Sequence, residues 1–218
     1  MCGIAGSKFK TQAFEHYKDN LTRGYYSSGS MIIDTNNQHT IKKVLGTFNE
    51  AVECPVVPGI YTKGQYFLYH SRGPTTETKE FVPDNNHPFV FNQWIVAHNG
   101  IISNFAKLWK TYCPLESIEG KTDSCIIPRI LSREFTIAEA LEKLEGTFAV
   151  WMYNTDNNKL YVARSGSTLF ANTKTGDFSS TEFEGSEPLG EGMVYSIANY
   201  YNIEPAGRFK HKSPYFVF

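Results

Sequence analysis

The chain has 218 residues, of which 41% are hydrophobic, 15% aromatic and 20% charged, a balance that excludes a disordered or fibrous protein and suits one sizeable globular domain over residues 1–218. Its net charge is −1, and the basic residues are scattered apart from short clusters such as FKHKS near the C-terminus, so the composition points to no nucleic acid and no membrane surface as partner. No apolar run approaches the roughly 20 residues that span a bilayer, no signal-peptide core precedes Lys8, and Cys2, Cys54, Cys113 and Cys125 lack CxxC spacing; the expectation is a reduced, cytoplasmic protein.

In chain order, CGIAGS reads as a short strand, and TQAFEHYKDNLT as an amphipathic helix with Thr11 as N-cap and Ala13, Phe14, Tyr17 and Leu21 on one face. SMIID and TIKKV, joined by the polar TNNQH, predict a hairpin. QYFLYH and PFVF…QWIVAHN are further strands, separated by the polar stretch SRGPTTETKEFVPDNNH, a length typical of functional lids. IISNFAKLWKTY and DSCIIPRILSREF predict helices, the second held by Pro128 to a start near Asp123. TIAEALEKL follows, with Thr136 and Glu139 spaced as a capping box.

TFAVWMY and KLYVARS flank the turn segment NTDNN and predict a second hairpin. In the first of these strands both alternating sets are apolar, Phe148, Val150 and Met152 against Ala149, Trp151 and Tyr153, so both of its faces require cover. Strands, then a helical block, then more strands predict stacked sheets enclosed by helices, an α+β layered domain.

Cys2 stands directly behind the initiator methionine. Removal of Met1, which small second residues permit, leaves a thiol beside a free α-amine, whose pKa of about 7.7–8.0 lies close to the roughly 8.5 of a thiol. Nucleophile and base then come from one residue. From position alone the plainer reading, a small buried cysteine at a strand start, is the better one.

Further motifs alter that balance: RGYYSSG at 23–29, HSRGPTTE at 70–77, HNGIISN at 98–104, TDS at 122–124, LEGTFAV at 144–150 and ARSGS at 163–167 follow the N-terminal CGIAG in order. Over roughly residues 2–170 this set resembles the class II glutamine amidotransferase domain. It is most similar to the glutaminase domain of glucosamine-6-phosphate synthase, with amidophosphoribosyltransferase and asparagine synthetase more distant. The resemblance implies a four-layer αββα sandwich of the N-terminal nucleophile hydrolase type. It also implies Cys2 as nucleophile, with Asn99 (side-chain amide) and Gly100 (backbone N–H) as oxyanion hole. Arg72 and Thr75 would hold the α-carboxylate of L-glutamine and Asp123 its α-ammonium group, while Asp123 by itself reads as a helix N-cap. Arg23 and Gly24 match a supporting segment beside the N-terminus. Strand alternation turns His98 away from Asn99, and His87 resembles a structural histidine. No cofactor and no metal are expected.

The sequence departs from the family where its RGxDSxG aspartate becomes Tyr26. It departs again in the glutamine loop, where Gly73 replaces a bulky aromatic, Thr76 a histidine and Glu77 a glycine. The leading expectation is a glutaminase that supplies ammonia to a separate synthase. The alternatives are an amidohydrolase acting on another γ-glutamyl compound and a non-catalytic regulatory or binding subunit of the same fold.

Overall fold

A computed structural model of the protein describes residues 1–53, 64–73, 81–199 and 201–211. The strands in chain order are β1 (Gly3–Ser7), β2 (Ser27–Asp34), β3 (His39–Leu45), β4 (Gly64–Arg72), β5 (Phe89–Phe91), β6 (Trp94–Ile102), β7 (Gly146–Asn154) and β8 (Lys159–Ser165). Beyond them lie β9 (Phe170–Asn172), β10 (Asp177–Ser179), β11 (Glu187–Pro188), β12 (Met193–Ala198) and β13 (Asn202–Arg208). The helices are α1 (Lys10–Asn20), α2 (Phe105–Tyr112), α3 (Ile126–Leu131) and α4 (Ile137–Glu142).

The strands form a seven-stranded sheet in the order β11-β9-β10-β1-β4-β2-β3 and a six-stranded sheet in the order β13-β12-β8-β7-β6-β5. Adjacent strands in both are antiparallel. The two alternating apolar sets of β7 explain the layering. Ala149, Trp151 and Tyr153 enter the core between the sheets with Ile4, Met31 and Leu68, whereas Phe148, Val150 and Met152 pack against Leu108, Ile127 and Leu141 of the helices. On the far side of the first sheet, Ala13 and Tyr17 of α1 pack on Ile32, Phe67 and Tyr69, with Phe14 and Leu21 partly buried beside them. Helix, sheet, sheet, helix is the order of layers, an αββα sandwich. Each large apolar side chain so buried contributes on the order of 1.5–3 kcal/mol.

Both predicted hairpins form, β2 with β3 and β7 with β8. The capping box is present too: Thr136 Oγ1 accepts the Glu139 N–H at 3.1 Å and Glu139 Oε2 accepts the Thr136 N–H at 3.0 Å.

Three boundaries differ from the sequence reading. Helix α1 starts at Lys10 with Phe9, not Thr11, as its N-cap, because the Ser7 hydroxyl accepts the Phe9 N–H at 3.0 Å and turns the chain there. The helix predicted from Ile101 starts at Phe105: Ile101 and Ile102 stay paired with β7, and the Ile102 N–H donates to Asp123 Oδ2 at 2.6 Å. Asp123 is therefore not a helix N-cap. It opens a 3₁₀ turn, Asp123–Cys125, that leads into α3, and one of its carboxylate oxygens, Oδ2, accepts the Ile102 N–H at the end of β6. Pro128 falls in the first turn of α3, where its missing N–H costs nothing.

Candidate active site

The pairing of β1 with β4, in which Gly3 faces Ser71, and of β2 with β4, in which Ser27 faces Arg72, brings Cys2 and Arg72 to the same end of the sheet. Strand β6 lies across the sandwich from β1, with Asn99 and Gly100 in its C-terminal half. A cleft of about 600 Å³ opens at this end, lined by Cys2, Arg72, Gly73, Gly100, Thr122 and Asp123 among others.

Cys2 immediately precedes β1. Its Sγ lies 3.7 Å from the Gly73 carbonyl, and its own carbonyl accepts a hydrogen bond from Arg23 Nε at 2.8 Å. Gly24 and Gly73 pack against Met1: a Cβ on either would overlap the Met1 carbonyl oxygen, so only glycine admits the N-terminus here. Burial pushes the Cys2 thiol above its ordinary pKa, the N-terminal ammonium and Arg72 pull it down, and Asp123 pushes it up. A thiol held protonated by burial needs a base at the moment of attack, and the α-amine freed by loss of Met1 is the nearest such group by covalent necessity.

Arg72 is buried, and its Nη1 donates to Asn86 Oδ1 at 2.7 Å and to the Asn85 carbonyl at 3.1 Å. Asn86 Oδ1 also accepts from Ser27 Oγ at 2.7 Å. Asn85 in turn accepts the Thr122 N–H at 2.9 Å and donates to the Gly120 carbonyl at 2.6 Å, so the C-terminal end of the stretch expected as a lid straps Arg72 to the turn that carries Asp123. The guanidinium stands 5.8 Å from the ring centroid of Tyr26, so the aromatic that replaces the family's aspartate is a neighbour of Arg72. Thr75, with Thr76, Glu77 and Cys54, lies outside the described residues.

Alternation along β6 separates His98 from Asn99 as expected. Asn99 turns into the space between the sheets, where Nδ2 donates to Ser180 Oγ at 3.2 Å. His98 turns toward the helices, its Nε2 3.3 Å from the Thr147 carbonyl and its Nδ1 2.8 Å from Ser124 Oγ. A carbonyl only accepts, so a neutral His98 carries its proton on Nε2. Gly100 has φ 146°, and a Cβ there would collide with the Thr147 carbonyl. Its glycine is therefore demanded by the backbone path that follows Asn99.

Tertiary structure brings to this end further groups to which sequence reasoning assigned no catalytic role, and of these Asn86 and Ser180 were missed altogether. His70 and His87 stack with ring centroids 3.8 Å apart, both buried, and His70 Nε2 donates to the His98 carbonyl at 3.2 Å. Burial pushes His70 down to about 3 and His87 well below its ordinary range, with His70, His98, Arg72 and Lys43 adding to the effect on His87. Burial also lowers His98, partly offset by Asp123. All three are neutral rings at pH 7. Asn86 and Ser180 sit in DNNHP and FSST, segments outside the ordered motifs that carry the resemblance. Among the described residues no three His, Cys, Asp or Glu side chains converge as metal ligands.

Residues 79–181 match the family described as "Glutamine amidotransferase domain". The chain is 31% identical over 183 residues to the glutamine–fructose-6-phosphate aminotransferase (isomerizing) of Francisella tularensis, a match that covers 78% of this chain and 29% of the relative. It is 29% identical over 191 residues to the enzyme of the same name from Aliivibrio fischeri, covering 81% of this chain and 31% of that protein. The chain thus spans about 30% of the length of these relatives. Among solved structures, the glutamine phosphoribosylpyrophosphate amidotransferase from B. subtilis complexed with ADP and GMP superposes with a TM-score of 0.73, at 17% identity, covering 96% of this chain and 49% of that one. Motif order, layer order and relatives agree: the chain carries a class II glutamine amidotransferase domain built on the N-terminal nucleophile fold.

Proposed function

We propose that residues 1–218 act as one glutaminase unit that hydrolyses the side-chain amide of L-glutamine and passes the ammonia to a separate acceptor synthase. The observation that carries this reading is the Cys2 thiol at the wall of the cleft that Arg72 and Asp123 also line. With Met1 removed, the α-amine takes the thiol proton, and the sulfur attacks the amide carbon. The negative charge that develops on the amide oxygen is met by the Asn99 Nδ2–H and the Gly100 N–H, donors worth about 2.7–4 kcal/mol each in acyl transfer. Collapse of the tetrahedral adduct breaks the C–N bond as the ammonium returns its proton to the leaving nitrogen. Ammonia departs, and water then attacks the γ-glutamyl thioester to release glutamate and the thiol. Arg72 would pair with the substrate α-carboxylate, Thr75 assisting, and Asp123 with its α-ammonium group. Arg23 would act on catalysis indirectly, through the Cys2 carbonyl it holds.

The test combines intact mass, labelling and turnover. The mature chain should lack Met1, a glutamine-like electrophile should label Cys2 and spare the buried Cys113 and Cys125, and Cys2→Ala should abolish ammonia release without unfolding the protein. Labelling of another cysteine with Cys2 unmodified would sink the assignment. Retention of Met1 would favour a non-catalytic subunit, and preferential hydrolysis of γ-glutamyl peptides would replace glutamine as the substrate.

A further inference from the structure

We propose that Ser180 is the positioning residue that aims the Asn99 amide and ties it to the strand of the nucleophile, an assignment that rests on the glutaminase reading above. Ser180 is 1% exposed and follows directly on β10. Its backbone N–H donates to the Ile4 carbonyl at 2.9 Å, and its Oγ accepts the Ile4 N–H at 3.0 Å. Ser180 thereby grips by both backbone groups the residue two places after Cys2. The same Oγ accepts the Asn99 Nδ2–H from the opposite sheet at 3.2 Å. A serine oxygen has two acceptor positions, and here one is filled from each layer of the sandwich.

The consequence is chemical. The terminal torsion of asparagine is soft and roughly two-fold, so an unanchored carboxamide turns its oxygen into a site about as readily as its nitrogen. An oxygen facing a developing oxyanion would repel it. With one Nδ2 hydrogen held by Ser180, the amide orientation is set and the second hydrogen is left for the substrate oxygen. Because the same hydroxyl holds Ile4, the spacing between this donor and the thiol is governed by a single oxygen that touches neither substrate nor thiol.

The experiment is a kinetic double-mutant cycle on the full chain, read as glutamate formed from glutamine. Asn99→Ala should lower kcat about 10²–10³-fold. Ser180→Ala should lower kcat roughly 10-fold with KM within about twofold, since it removes an orienting bond and no substrate contact. In the Asn99→Ala background the same change should alter kcat by less than about twofold. Ser180→Thr, which restores a hydroxyl, should recover most of the rate while Ser180→Val does not, a comparison that stands if Ser180→Ala folds poorly. An undiminished kcat in Ser180→Ala, or the same 10-fold loss with and without Asn99, would overturn the role of Ser180 while leaving the glutaminase reading intact. An undiminished kcat in Asn99→Ala would instead remove the oxyanion assignment and this proposal with it.

Discussion

Acidification should destabilise this fold before its carboxylates titrate, through the stacked pair His70 and His87. Both rings are buried, and His87 faces Arg72, Lys43, His70 and His98, so no nearby anion rewards its protonation. The folded protein holds His70 near a pKa of about 3 and His87 well below its ordinary 6.5. Below pH 6.5 the unfolded chain therefore binds protons that the folded chain refuses. By linkage, stability is fully present above that value and falls as the pH drops toward the folded pKa values. Between pH 7.5 and 5.5 each such histidine removes on the order of 1 kcal/mol, and the pair about 2–3 kcal/mol. Urea unfolding at the two pH values measures the loss. His87→Phe keeps a planar ring beside His70 and Phe89 and deletes one titration, so the variant should lose on the order of 1 kcal/mol less than the parent over the same interval. His16, His39 and His98, also pushed down by burial, are common to both proteins and cancel in that difference. Equal acid losses in parent and variant would refute the argument.

Two further substitutions probe the walls of the cleft. Gly100→Ala forces a Cβ against the Thr147 carbonyl at φ 146° and should cost at least about 2 kcal/mol in urea unfolding; a fully stable variant would contradict the backbone path given for β6. Asp123→Ala should raise KM for glutamine more than it lowers kcat, because an ammonium contact exists in ground and transition states alike. It should also cost roughly 1–3 kcal/mol of stability by orphaning the Ile102 N–H, and a loss confined to kcat would reassign Asp123 to the chemical step.

The layering of this protein was legible in one strand. Both alternating faces of TFAVWMY are apolar, which is possible only where a sheet is covered twice, and Trp151 and Met152 do point into different cores. The hairpins and the Thr136–Glu139 box were legible for the same reason, since turn chemistry and capping act between residues a few positions apart. The opposed directions of His98 and Asn99 followed from the two-residue period of a strand. Cys2 alone carried little information, and only the ordered motifs behind it suggested chemistry. What the chain order could not express were bonds between distant segments. The Asp123 carboxylate reads locally as a cap but is taken by Ile102, which lengthens β6 and delays α2. His70 and His87 stack across a loop, Arg72 is held by Asn86, and Ser180 reaches Ile4 and Asn99 over 176 and 81 positions. Those partners are chosen by how the sheets stack, because a buried donor or acceptor must find whatever group the packing sets beside it.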